Sequence, residues 1–435
     1  MNNSAQITAA ALIAAATTAA SAGSLELDRS YASELKADAG ARSVLNQGNL
    51  GNIEVSAGVR FGYTYNDRPD DATPTLGDND TTMGFGFSEA TVAIEGDVTD
   101  NMRARISFDF GPDDVGGMGG GGSALLEDAY VDWNVNDSFD LRVGQFVPSY
   151  SSEASTSEFH TMGNYRAVSH EWLATPGWAQ GIEASWGGDT WDLTVGFTDG
   201  FGANGIGNGT GNTAFNSSNE ADYAFNARFD MYSDSNKDRF ADQTSWRGSD
   251  AGWRFGAGLY FASYGDTNPS GTDLDDLSWT IDGAYEADGW AVRGAFYMYE
   301  NEFSATGDAS NMGFELGGSF FFSDQWEGFA RWDSLLLDDD TGAGQVTDAN
   351  GDGSTDDVQN FLAFGANYYF VPESNAAKLT LEVGIALTET GDIVNTAGDT
   401  GVTPIGAGPG STGFLSDVAG EDGQVMFSGV MQWLF

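Results

Sequence analysis

The chain ends Gln424-Val425-Met426-Phe427-Ser428-Gly429-Val430-Met431-Gln432-Trp433-Leu434-Phe435. Val425, Phe427, Gly429, Met431, Trp433 and Phe435 share one parity, while Gln424, Ser428 and Gln432 take the other. A period of two is what a β-strand imposes on its two faces. In a soluble sheet an aromatic face running to the carboxyl terminus would be an aggregation-prone edge. Facing lipid it is stable, so Val425, Phe427, Met431, Trp433 and Phe435 read as the strand that closes a transmembrane β-barrel at its interfacial girdle.

The same alternation recurs upstream. Ile53, Val55, Ala57, Val59, Phe61, Tyr63 and Tyr65 alternate with Glu54, Ser56, Arg60 and Thr64. Ala104, Ile106, Phe108 and Phe110 oppose Arg103, Arg105, Ser107 and Asp109, and Trp191, Leu193, Val195 and Phe197 oppose Asp192, Thr194 and Thr198. Further copies lie at 223–231, 253–261, 290–298 and 379–387. The pattern predicts an all-β, antiparallel barrel of about 16 strands, each roughly 9 to 14 residues and able to cross a bilayer at a tilt. Beyond the N-terminus no apolar run is long enough for a spanning helix, so insertion is expected as a barrel. Trp178, Trp186, Trp191, Trp253, Trp290 and Trp433 stand near predicted strand ends, as interfacial belts require.

Connections carry a second signal. Turns near 99–101, 136–138, 187–189, 287–289 and 323–325 are short, whereas 66–83, 111–123, 148–176, 200–220, 337–358 and 388–421 are long and polar or Gly-rich. Short periplasmic turns alternating with long extracellular loops mark outer-membrane barrels. Residues 232–250 break the rule, being long on the periplasmic side; either that turn is elaborated or the strand count is off by a pair.

Composition narrows the function classes. The 435 residues include 60 Gly, 13% aromatic and 19% charged residues and no Cys, which suits many strands joined by Gly-rich turns and excludes disulfide or thiolate chemistry. Seventeen basic against 65 acidic residues give a net charge of -48, which repels nucleic acid. Residues 7–22 are Ala/Thr-rich and end Ala20-Ser21-Ala22, the small-residue pattern of a signal-peptidase site before Gly23, although residues 1–6 lack the usual Lys or Arg. Residues 1–22 are therefore expected to be a signal peptide directing export to the periplasm. In 23–50, Leu27, Tyr31, Leu35 and Ala39 recur at helical spacing; a short periplasmic helix and a disordered leader both fit. The barrel is expected over 51–435.

The run Leu141-Arg142-Val143-Gly144-Gln145-Phe146-Val147-Pro148, followed by Ser151-Ser152-Glu153, resembles the central segment of the phosphate-selective porin O/P family. Trp178-Ala179-Gln180-Gly181-Ile182, Trp246-Arg247-Gly248 and Phe364-Gly365-Ala366-Asn367-Tyr368-Tyr369-Phe370 are similar too. The resemblance spans roughly 51–435. It implies a 16-stranded homotrimeric barrel in the outer membrane with one loop folded into the lumen. Where the family often carries Lys before the Pro, this chain has Val147, and so few basic residues cannot build a dense lysine cluster. Phosphate selectivity therefore does not carry over.

Strand parity selects the pore-lining candidates. Arg60, Arg103, Arg105, Arg142, Arg228, Arg254, Arg293, Arg331 and Lys378 sit opposite the lipid face, where a basic group escapes a cost of about 2–4 kcal/mol at mid-bilayer. With Asp109, Asp128, Asp132, Glu183, Asp230, Glu315 and Asp333 they form either a charged filter with a transverse field or salt bridges that fill the lumen. The loop 148–176 offers Tyr150, Glu153, Glu158, His160, Tyr165, Arg166, His170 and Glu171 as a constriction. Its two histidines lack companion ligands and read as ordinary loop residues rather than a zinc site. No catalytic elbow, phosphate loop or zinc-helix motif occurs, and an enzyme is not expected.

Asp348, Asn350, Asp352, Gly353, Ser354 and Asp356 follow the opening of a calcium loop, but the twelfth position is Gln359, with Asp357 the nearest substitute carboxylate. No cofactor is required; a structural calcium ion is the one metal the sequence suggests. The expected function is passive diffusion of small hydrophilic solutes or ions through a loop-constricted pore. A substrate-specific anion channel and a structural or adhesive calcium-binding barrel are the alternatives.

Overall fold

The computed structural model describes residues 53–67, 81–110, 124–174, 176–200, 221–264, 274–303, 307–338, 358–388, 413–414 and 423–435. The expected leader (1–50), the calcium-loop residues 348–357 and most of the long loops lie outside the described residues. Within them, the alternating segments form sixteen strands: β1 Ile53–Asp67, β2 Thr81–Thr99, β3 Met102–Asp109, β4 Leu125–Asn136, β5 Phe139–Phe146, β6 Ala179–Gly188, β7 Trp191–Thr198 and β8 Tyr223–Tyr232. The second half comprises β9 Gly252–Tyr264, β10 Leu274–Ala287, β11 Trp290–Phe303, β12 Gly307–Phe321, β13 Trp326–Leu336, β14 Val358–Tyr369, β15 Ala377–Ala386 and β16 Val425–Leu434.

Each strand pairs antiparallel with its sequence neighbours, and β1 pairs with β16 to close the barrel. Closure leaves no unpaired edge, the condition for holding backbone amides in hydrocarbon. The carboxyl-terminal residue takes part: Ala57 N donates to Phe435 O at 2.7 Å, and Phe435 N donates back at 2.9 Å.

The parity read from the last strand holds around the wall. Val425, Phe427 and Trp433 are 38–39% exposed, whereas Met426, Ser428 and Gln432 are 2% or less. Trp186, Trp191, Trp253 and Trp290 also face outward at 38–40%. Trp178 does not belong to that belt. It precedes β6, and its Nε1 donates to Asp128 inside the barrel at 3.2 Å.

The exceptional connection 232–250 proves to be an elaborated turn, so the strand count stands. It carries a 3-10 helix, Lys237–Ala241, and buries Phe240, Asp242, Gln243, Thr244 and Ser245. Two outer connections were missed by the sequence reading. β9 ends at Tyr264 and β10 starts at Leu274, while only three residues separate β11 from β12.

Candidate functional site

The segment between β5 and β6 folds into the barrel. It holds α1, Ser152–Ser155, a 3-10 turn, Glu158–His160, and α2, Val168–Leu173. Helices this short do not persist unaided, so their free N–H groups need partners. Ser151 Oγ accepts from Ala154 N at 3.1 Å. α2 has no side-chain cap of its own; Glu153 accepts from Ala167 N at 3.2 Å, and Asp333, on β13, accepts from Ser169 N at 3.2 Å. The wall thus caps the loop helix.

Four of the nine predicted lumen cations grip this loop. Arg60 donates to Glu158 at 2.6 Å and to the Asn164 carbonyl at 2.7 Å. Arg228 donates to the Tyr150 carbonyl at 2.9 Å while paired with Asp282 and Asp230. Arg331 reaches the carbonyls of Tyr165 and Arg166 at 2.7 and 2.9 Å, and Lys378 reaches that of Thr161 at 2.9 Å. Glu183 accepts from Ser149 N at 2.9 Å and fixes the loop's entry.

For these charges the contacts favour the second of the two expectations, salt bridges that fill the lumen, over a charged filter. Arg60, Arg228 and Lys378 face the lumen but are buried, and Arg254, Arg293 and Arg331 are half-buried, with side-chain exposures of 13% or less for the arginines and 2% for Lys378. Asp109, Glu183, Asp230 and Asp333 are likewise buried, and Glu315 is half-buried. A charge packed against loop carbonyls holds structure rather than lining water. Glycines on the inward parity mark the footprint, because a side chain there would occupy the loop's place. At Gly58 a Cβ would strike the Phe159 ring, at Gly258 the Tyr150 carbonyl, and at Gly313 Leu173 and Ser169 at 2.9 Å. That signal was present in the sequence.

From the other end, the long turn meets the loop. Gln243 N donates to His160 O at 3.0 Å, and Gln243 Oε1 accepts from Met162 N at 2.9 Å. Loop and turn together fill the side of the lumen bounded by β8–β16 and β1. Burial, then the positive charge of Lys378, push the His160 imidazole down to about 3, so it sits neutral in this interior. Burial opposes the charge on Glu153, but His170, a hydrogen bond from Glu315, Arg331 and Arg166 outweigh it and hold that carboxyl below the usual range.

Ser151 Oγ lies 2.9 Å from His170 Nε2, and His170 Nδ1 lies 3.4 Å from Glu171 Oε1, the order of a hydrolytic triad. Ser151 is only 1% exposed and His170 0%, and the Ser151 hydroxyl already caps α1. The trio ties the loop's two ends together without presenting a nucleophile to solvent. The remaining constriction residues Tyr150 and Tyr165 are buried, Arg166 is half-buried, and Glu158 stays 37% exposed.

The remaining predicted charges keep contact with water on the opposite wall. Arg103, Arg105 and Arg142 have side chains 28%, 31% and 33% exposed. Arg103 pairs with Glu54 at 2.6 Å, Glu95 at 3.0 Å and Asp97 at 3.2 Å. Arg105 joins Glu95 to Asp128, and Arg142 grips Asp132 through two hydrogen bonds of 2.7 and 3.1 Å. The Arg142 guanidinium also lies 4.2 Å from the Tyr130 ring centroid, a cation–π contact that fixes its orientation. The sequence reading did not name Glu54, Glu95, Asp97 or Tyr130 as pore-lining, although Glu54 shares the inward parity of Arg60, and Tyr130 that of Asp128 and Asp132. Toward the long-loop end the same wall closes in, with Ser107, Asp109 and Thr198 2–4% exposed.

Residues 55–255 match the family model described as phosphate-selective porin O and P, so the family resemblance is shown over that part of the chain. The fold is shared with an anion-selective porin from Comamonas acidovorans (12% identity, 88% of this chain and 99% of that one, TM-score 0.54). It is also shared with OprB of Pseudomonas putida (10%, 91% and 96%, TM-score 0.54) and OmpF of Salmonella typhi in complex with daunomycin (12%, 88% and 99%, TM-score 0.53). At these identities the likeness is one of fold. No curated protein matches the chain in sequence.

Proposed function

We propose that the protein is an outer-membrane porin in which small hydrophilic solutes and ions diffuse through an eccentric passage between the inward loop and the β2–β7 wall. The observation that carries this is the division of the lumen: buried, loop-gripping charges on one side, and part-exposed Arg103, Arg105 and Arg142 on the other. The porin family match and the barrel architecture support it. Export across the inner membrane by residues 1–22, assembly as a homotrimer and a structural calcium ion at 348–357 are parts of the same proposal.

The passage should favour cations weakly. Around the three arginines stand five carboxylates, Glu54, Glu95, Asp97, Asp128 and Asp132, leaving a negative excess among groups that alternate in sign. In planar bilayers under a salt gradient the expected reversal potential has the cation sign and is small. Replacing Arg103, Arg105 and Arg142 together with Gln should increase the cation preference severalfold. Conductance that saturates with phosphate, or an anion-sign potential, would instead establish a substrate-specific anion channel.

A further inference from the structure

The outer face of the barrel carries a groove of about 900 Å³ whose lining comes from β11 to β16. Its floor is made of small residues, Gly318, Ala330 and Ala366, and its walls include Phe320, Phe364 and Phe427. The pairing registers place Val292, Gly318, Ala330, Phe364, Val383 and Phe427 in one row across the strands. That row crosses five inter-strand steps of about 4.8 Å, so the lined face is roughly 24 Å across, oblique to the membrane because the strands are tilted. Its apolar lining over a floor of small residues suits a fatty-acyl chain.

One end of the groove, at Trp290 and Phe322, opens beside two periplasmic turns. Arg247 lies between them. Asp288 N donates to Ser249 O and Gly289 N to Trp246 O, both at 3.1 Å, which docks the 246–249 turn on the β10–β11 turn. The Arg247 guanidinium then pairs with Asp324, in the β12–β13 turn, at 2.8 Å. At 51% it is the most exposed basic side chain among the described residues, and Asp324 is 76% exposed. Such a solvated pair is weak and leaves guanidinium donors available to a phosphate. In a chain of net charge -48, an exposed cation at the mouth of an apolar trough is the complement of an anionic lipid.

We propose that this groove binds one glycerophospholipid of the periplasmic leaflet, an acyl chain lying along the Gly318–Ala330–Ala366 floor and the phosphate on Arg247. The assignment rests on the outer-membrane reading above. The test takes delipidated protein in neutral detergent, titrated with dioleoylphosphatidylglycerol and followed by native mass spectrometry. One tightly held lipid per chain is expected, weakened by about tenfold or more in Arg247→Gln and in Ala330→Phe and retained in Arg247→Lys. Dioleoylglycerol, which has no phosphate, should bind the unaltered protein weakly. Equal lipid retention by all variants would overturn the proposal. So would dissociation of a self-assembled complex by Ala330→Phe with lipid binding intact, since the groove would then be a contact between copies. Bilayer conductance of each variant reports the channel separately, so failure of the lipid site and failure of the porin reading remain distinguishable.

Discussion

Replacing Arg228 with Leu is expected to unseat the front of the inward loop and raise single-channel conductance. The guanidinium binds Asp282 through contacts of 2.8 and 3.0 Å, Asp230 at 2.6 Å and the Tyr150 carbonyl at 2.9 Å, and its side chain is only 5% exposed. Removing it leaves the Asp282 carboxylate, 2% exposed, with Arg254 as its one remaining ion-pair partner among the described residues. Breaking a buried pair in this way costs about 3–5 kcal/mol. The barrel itself should survive, because its closed ladder does not run through this side chain. The loop should not, since Tyr150, near its start, is 0% exposed, lodged over Gly258 and hydrogen-bonded to Ser278. Limited proteolysis within residues 150–170 should accompany the larger conductance. Unchanged proteolysis and conductance in a folded variant would show that the loop is held elsewhere.

Acid should have a comparable effect through His160. Docked, its imidazole is held down at about 3 by burial and then by Lys378; in a solvated loop it would titrate near the ordinary 6.5. Between those values the released loop binds a proton that the docked loop rejects, so docking is at full strength above about pH 6.5 and weakens as pH falls. By pH 4 the loss is about 3 kcal/mol. Glu153 adds to it at lower pH, because its depressed carboxyl stabilises the docked loop only while ionised. Conductance and protease sensitivity of the loop should both rise between pH 6.5 and pH 4, and His160→Gln should flatten that dependence. An acid response unchanged in His160→Gln would assign it to other groups.

The barrel was legible in the sequence because its cause is local. Lipid on one face and water or protein on the other impose period two on every strand, and a single parity error would put an Arg such as Arg105 into hydrocarbon. The elaborated 232–250 turn was visible as an irregularity, but its fate depended on buried partners such as Tyr369 and His160 more than eighty residues away on either side. The three-residue link between β11 and β12 was missed because so short a connection carries no compositional mark.

The site was only half legible. Parity says that Arg60 and Arg103 both point inward, but it does not say that one meets Glu158 and the carbonyl of Asn164 while the other meets water. That distinction comes from where the loop docks, through contacts separated by about a hundred residues or more. The inward glycines Gly58, Gly258 and Gly313 were the available sign. They leave bare backbone on a wall otherwise lined with polar side chains, which is what a wall needs where another segment packs against it.

The division of the lumen can be measured directly, because the chain has no Cys and each introduced thiol would be unique. Thr194, half-buried on the open wall where it meets Ser185, and Thr380, 2% exposed behind the loop and bonded to Asn367, both point inward. In planar bilayers a small hydrophilic thiol reagent should lower the current of Thr194→Cys in discrete steps and leave Thr380→Cys unaltered. Equal modification of both, or modification of Thr380→Cys alone, would contradict a passage confined to the β2–β7 side.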